Sequence, residues 1–184
     1  MAVEEPAYTA SQTDGDCELR DYPSLIAAEV TVSGERQPAL NTGFRLLAGY
    51  IFGDNVQKHK VAMTAPVIQA PHSEKISMTA PVIQQASAEG WVVRFIMPGG
   101  YTLDTLPIPN NPRVRLVTLP PARFAVVRFS GLGQARDIET QTDVLEVYVQ
   151  RHKLKAMGAV LMARYDPPWT LWFLRRNELM MPVA

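Results

Sequence analysis

Two stretches 97 residues apart are built alike: AEVTVSG at 28–34 and AVVRFSG at 125–131. Alanine, valine, serine and glycine recur at matching places. Each copy reads as a strand that leads into a helical pattern. A chain that repeats a unit in this way must give both copies similar surroundings, so two related halves are expected. With 184 residues it suits one domain or two tightly fused halves.

The first half begins after a polar stretch, 1–15, which reads as a flexible arm. ELRDY (18–22) and LIAAEVTVSG (25–34) read as strands joined through Pro23 and Ser24. In the second of these, Ile26, Ala28, Val30 and Val32 alternate with Ala27, Glu29, Thr31 and Ser33, the half-buried pattern. A helix follows. Pro38 suits its first turn, Leu40, Phe44, Leu47 and Ile51 form one apolar stripe, and Gly53 stops it. Gly43 inside this helix points to close approach, by the sheet or by a ligand, with helix–sheet packing the simpler cause. Strands are expected at about 60–68, 76–84 and 91–97, then an irregular proline-rich loop over 98–112.

The second half repeats the plan. Strands at 113–119 and 122–131 precede a helix at about 133–152, with Ile138, Leu145 and Val149 on one side. Strands at about 158–165 and 171–183 close the chain. The expected fold is α+β: hairpin, helix, hairpin, performed twice. Its strands form one curved antiparallel sheet or open barrel, with a helix from each half against it. The domain is expected to span 16–184, with halves at about 16–97 and 113–183.

The charges balance, with 18 basic and 18 acidic residues. No basic excess is available to neutralise phosphates, which argues against nucleic acid as partner. The one cysteine, Cys17, excludes a disulfide framework. No apolar run reaches the ~18 residues of a membrane span. A soluble cytoplasmic protein without membrane insertion is expected.

Motifs for covalent catalysis are absent: there is no GxSxG, HExxH or phosphate-cradling loop. Cys17 sits between Asp16 and Glu18, and carboxylates raise a thiol pKa. His59 and His72 fall in polar connectors, and His152 falls at the end of the second helix. None shares metal-ligand spacing with another. The stretch MTAPVIQ occurs at 63–69 and again at 78–84. Its methionines read as core or pocket-wall packing, with an axial role toward a porphyrin iron as the sharper alternative. The richest segment is ARYDPPWTLWFLRRNELMM, 163–181. Its indoles on a Pro–Pro loop form a flat apolar wall suited to a planar ligand, or else they cap the barrel end.

ELRDY, GFRLLAGYIFG, KVAMTAPV, FIMP, RFSG and YDPPWTLWFLRRNE together resemble the SOUL/haem-binding protein family, from about Glu18 to Met181. The resemblance implies a distorted antiparallel β-barrel of two pseudo-symmetric halves flanked by two helices. It also implies a relation to the ligand-binding domains of certain bacterial drug-responsive regulators. The implied activity is non-covalent binding of haem or a related tetrapyrrole in a shallow hydrophobic pocket, for buffering, transport or delivery. By position the helix wall is Leu40, Asn41, Phe44, Arg45, Leu47 and Ala48. The loop wall is Pro168, Trp169, Thr170 and Trp172, and Met63 of the first MTAPV copy joins the pocket, while Met78 packs. Arg45 is the implied propionate partner. Asn41 and Gly49 stand where a relative carries basic residues, and Asp21 stands where some relatives carry a histidine proposed to bind iron. His59 and Met63 remain as weak axial candidates. Two alternatives stay open. One is an enzyme that strips iron from haem or hydrolyses a small hydrophobic substrate, with Asp21 or Glu146 as its raised-pKa carboxylate. The other is a sensor or interaction module with a protein partner.

Overall fold

The computed structural model describes residues 4–57, 73–167 and 169–184. In chain order its elements are β1 (Thr9–Asp14), β2 (Cys17–Tyr22), β3 (Leu25–Val32), α1 (Arg36–Phe52), β4 (Asn55–Val56), β5 (Val82–Ser87) and β6 (Gly90–Ile96). These are followed by β7 (Ile108–Pro109), β8 (Arg115–Leu119), β9 (Ala122–Ser130), α2 (Ala135–Arg151), β10 (Leu161–Arg164), a 3-10 turn (Trp172–Leu174) and β11 (Arg176–Pro182). The strand expected at 60–68, the first MTAPVIQ copy, His59 and His72 lie outside the described residues.

Among the described residues nine strands form one antiparallel sheet in the order β1-β2-β9-β11-β10-β5-β6-β3-β8. The order is symmetric about the β10–β5 junction. From that junction outward, β5-β6-β3-β8 mirrors β10-β11-β9-β2. The repeat at offset 97 is therefore a structural repeat, and its strands β3 and β9 hold equivalent places. One feature differs from a simple hairpin plan. β2 pairs with β9 and β8 pairs with β3, so neither β2–β3 nor β8–β9 is a hairpin. The first strand of each half is exchanged into the other half. Residues 9–14, read as part of the arm, form β1 along β2, with every side chain exposed. An edge strand with no buried face carries no alternation for a reader to detect.

Three clusters fill the fold. The first packs α1 on Val30, Val93 and Phe95, and the second packs α2 on Ala125, Val127, Leu179 and Met181. The third lies on the opposite face and draws on Tyr22, Ala27, Ile83, Val126, Leu161 and Met180. Its members come from strands near both ends of the sheet. They can meet only if the sheet curls, so the helices cover the outside of a half-barrel.

Both helices have 17 residues. α1 ends at Gly53, whose φ of 123° suits glycine. α2 starts with a capping box, in which the Gln134 N–H donates to Asp137 at 3.0 Å. Its valine-rich VLEVYV stretch is helical nonetheless, because Leu145, Tyr148 and Val149 bury their side chains under the second half. The 98–112 loop is partly ordered by the short β4–β7 pairing and by Tyr50, whose hydroxyl donates to the Pro107 carbonyl at 2.9 Å.

Candidate functional site

The residues of the expected helix wall divide by helix geometry. Leu40 and Leu47 are 4% and 0% exposed and belong to the α1–sheet core, so they form no ligand wall. Asn41, Phe44 and Arg45 are exposed and Ala48 is half-buried. Phe44 leans its ring edge-on against Phe95, with centroids 5.3 Å apart. Phe52, one turn beyond Ala48, is also exposed. The outer flank of α1 thus carries apolar surface with two aromatic rings. Arg45 follows Arg36, the first helical residue, by nine positions, about two and a half turns. It therefore faces away from the side that Arg36 and the buried stripe share.

The loop wall is the more exposed part. Trp169 is 82% exposed, Leu171 58%, Trp172 59%, Phe173 52% and Leu174 62%. Thr170 is half-buried, and its carbonyl accepts from Arg175 Nε at 2.8 Å. Met63 and Pro168 lie outside the described residues. The 3-10 turn packs against β9, and Trp172 and Phe173 meet edge to face at 5.6 Å. The loop's anchor is Asp166, which accepts from the Arg176 N–H at 2.6 Å. A rigid base therefore holds apolar side chains in solvent, contrary to their usual placement. Of the two readings of these tryptophans, capping the barrel by burying them is not what the structure shows.

The inside of the half-barrel offers a second concavity of about 260 Å³, lined by Tyr22, Leu25, Ile83, Leu119, Phe124 and Met180 among others. That volume lies just under the ~300–1,000 Å³ usual for small-molecule pockets. Next to it is a buried ion network. Glu178 is 0% exposed and accepts from Arg20 at 2.7 and 3.0 Å, from the Tyr165 hydroxyl at 2.7 Å and from Arg176 at 3.0 Å. Burial alone would raise its pKa, but the Arg20 bonds and charge, with Tyr165 and Arg176, hold it below the usual carboxylate range. Burial pushes the Tyr165 hydroxyl well up.

The remaining titratable candidates are structural. Cys17 is buried, and its thiol is pushed up by burial first, then by Asp14 and Asp16. Asp21 makes a two-bond pair with Arg123, at 2.7 and 3.1 Å, and this pair lowers its pKa. A hydrolase base needs the opposite shift, and Asp21 is engaged by Arg123 instead. Glu146 lies on the exposed side of α2. His152 follows the last residue of α2, as expected, with its ring against Tyr148 at 4.4 Å and Nε2 3.9 Å from Asp14. Met78 is 38% exposed rather than packed. Among the described residues no group of three His, Cys, Asp or Glu side chains is arranged to hold a metal.

Sequence reading passed over two arginines. Arg164 lies on β10, on the same face as Met162 and therefore under the helices. Its Nη2 donates to the Leu132 and Gly133 carbonyls at 3.2 and 3.3 Å, while its buried Nε–H has no partner. Arg36 lies over the Trp91 ring, 5.7 Å from its centroid. The alternation Met162–Ala163–Arg164 at the head of the YDPP loop was the available signal.

A family model for the SOUL heme-binding protein matches residues 3–74 and 69–182. No curated protein sequence matches the chain significantly. Among solved structures, the C-terminal domain of EcmrR is similar, with a TM-score of 0.60 at 10% identity over 96% of this chain and 98% of that one. A hydrolase from Listeria innocua reaches a TM-score of 0.56 at 12% identity over 92% of each chain. EcmrR in a DNA complex reaches 0.57 at 12% identity over 96% of this chain and 57% of that one. At these identities the likeness is one of fold. No helix among the described residues is long and apolar enough to cross a membrane.

Proposed function

We propose that this chain, which belongs to the SOUL heme-binding protein family, binds haem or a related tetrapyrrole non-covalently on the surface formed by the outer flank of α1 and the 169–174 loop. The observation that carries the reading is the row of exposed apolar side chains at Trp169, Leu171, Trp172, Phe173 and Leu174. An apolar patch of this kind on a firmly anchored loop marks a binding surface. Phe44 and Ala48 on α1, with Asn41 at their edge, supply further wall. The half-barrel interior is narrower than a tetrapyrrole requires, and the outer surface sets no such limit.

Haem would supply its own iron chemistry when bound. The chain's part is to cover one porphyrin face and order its edge. Burying about 200–300 Å² there yields several kcal/mol at ~25 cal/mol/Å², before association costs. Iron ligation by His59 or Met63 belongs to this proposal as its finer form. A carrier or buffer in the cytoplasm is the role such shallow, exchangeable binding suits.

Titration with hemin tests the reading. A shifted Soret band with quenched tryptophan emission is expected, with a Kd near micromolar. Trp169→Ala and Trp172→Ala should each weaken binding roughly tenfold, through lost stacking area. An unshifted Soret band at tens of micromolar protein would rule the proposal out. Asp21→Asn should leave hemin affinity unchanged, because Asp21 is engaged by Arg123; a lost Soret shift in that variant would show instead that Asp21 ligates the iron.

A further inference from the structure

Arg36 and Arg164 are half-buried cations with no carboxylate partner among the described residues. Burial lowers both pKa values, and the Arg164 value is lowered further by the positive charges of Arg36 and Arg175. These three arginines come from the start of α1, the end of β10 and the end of the aromatic loop. Arg36 and Arg175 lie close enough to Arg164 for their charges to act on it. Desolvating like charges together is costly unless an anion joins them.

Two further observations concern the same residues. The Arg164 Nε–H is buried without an acceptor. α1 has no side-chain cap bond at Glu35 and no acidic residue in its first turn, so no side chain caps its first N–H groups.

We propose that Arg36 and Arg164, with Arg175 at the rim, form a carboxylate-binding cleft that fixes the acid edge of an apolar ligand lying on the 169–174 loop. The ligand's identity rests on the tetrapyrrole reading, whereas the anion chemistry does not. The cleft takes the place expected for Arg45, which faces away from it. Guanidinium groups suit the task, because they present paired N–H donors in carboxylate geometry.

The test sets protein variants against ligand charge. Mesoporphyrin IX and its dimethyl ester are titrated into wild type, Arg36→Gln, Arg164→Gln and Arg45→Gln, with circular dichroism reporting folding. The free acid should bind wild type about tenfold tighter than the ester. Arg36→Gln and Arg164→Gln should each remove most of that difference while leaving ester affinity unchanged, and Arg45→Gln should match wild type. Should Arg164→Gln unfold, the more accessible Arg36→Gln decides. Equal affinity for acid and ester, or losses shared equally by both, overturns the cleft and leaves the tetrapyrrole surface intact. A third arm uses 1-naphthoate followed by NMR. Naphthoate binding that depends on Arg36, without porphyrin binding, upholds the cleft and overturns the tetrapyrrole reading. Binding of none of these probes overturns both.

Discussion

Replacing Glu178 with leucine will cost about 3–5 kcal/mol of folding stability, the usual loss when one partner of a buried ion pair is removed. Glu178 is fully buried and Arg20 is 3% exposed. The substitution removes the acceptor of two Arg20 bonds, of the Tyr165 hydroxyl and of Arg176 Nε. Arg20 then keeps Glu18, the Tyr22 hydroxyl and the face of the Tyr8 ring, none of which ties β2 to β11. In urea the midpoint should fall by about 2 M, taking a slope near 2 kcal/mol/M. The double variant Arg20→Met, Glu178→Leu should be more stable than Glu178→Leu alone, since it leaves no fully buried charge unpaired; Glu18, which loses Arg20, is 23% exposed. A single-variant loss under about 1 kcal/mol, or a double variant less stable than the single, would contradict the account. Acid provides a second measure. The Glu178 pKa is lower folded than unfolded, so the unfolded chain takes up its proton first. Its contribution is complete above the unfolded value of about 4.3 and is lost as the pH falls through the lower folded value. The gap between wild type and Glu178→Leu should therefore narrow below about pH 4.

That pair also shows where sequence reading stops. Arg20 and Glu178 are 158 residues apart, and neither position signals the other. What local pattern encodes was legible. The offset-97 repeat foretold two equivalent halves, and the Leu40–Leu47 stripe foretold the buried side of α1. The same stripe placed Leu40 and Leu47 in the core, whereas Phe44, at the edge of that stripe, is exposed. Partner choice was not legible. Pro23–Ser24 and Pro120–Pro121 look like hairpin turns, yet each joins strands that pair across halves. A strand's own residues carry no label for its neighbour. The aromatic loop stood out because large apolar residues next to Pro167 cannot all be core. Arg36 and Arg164 did not, because exposed arginines are ordinary and only the fold makes these two half-buried and adjacent.

Gly43→Val will destabilise the fold by about 3 kcal/mol, at the upper end of overpacking costs. A Cβ at Gly43 would stand 2.7 Å from Val93 Cγ2, 3.1 Å from Val93 Cβ and 3.2 Å from Val30 Cγ2. Helix α1 meets the sheet here at backbone distance. Of the two causes weighed for this glycine, helix–sheet packing is the one observed. Gly43→Ala should cost less than valine, because alanine gains about 1 kcal/mol in helix propensity. Trimming the opposing side chain should relieve the clash: Gly43→Ala with Val93→Ala should be at least 1 kcal/mol more stable than the two single losses predict. Simple additivity would mean that α1 already has room to shift. The consequence reaches the surface. Lifting α1 from Val93 moves Phe44 off Phe95 and Arg36 off Trp91, so both the apolar flank and the arginine cleft lose their seating. Gly43→Ala should therefore weaken mesoporphyrin more than its dimethyl ester, whereas a purely local repacking would weaken neither. The close approach at Gly43 thus fixes the height of α1 and, with it, how near Arg36 stands to Arg164.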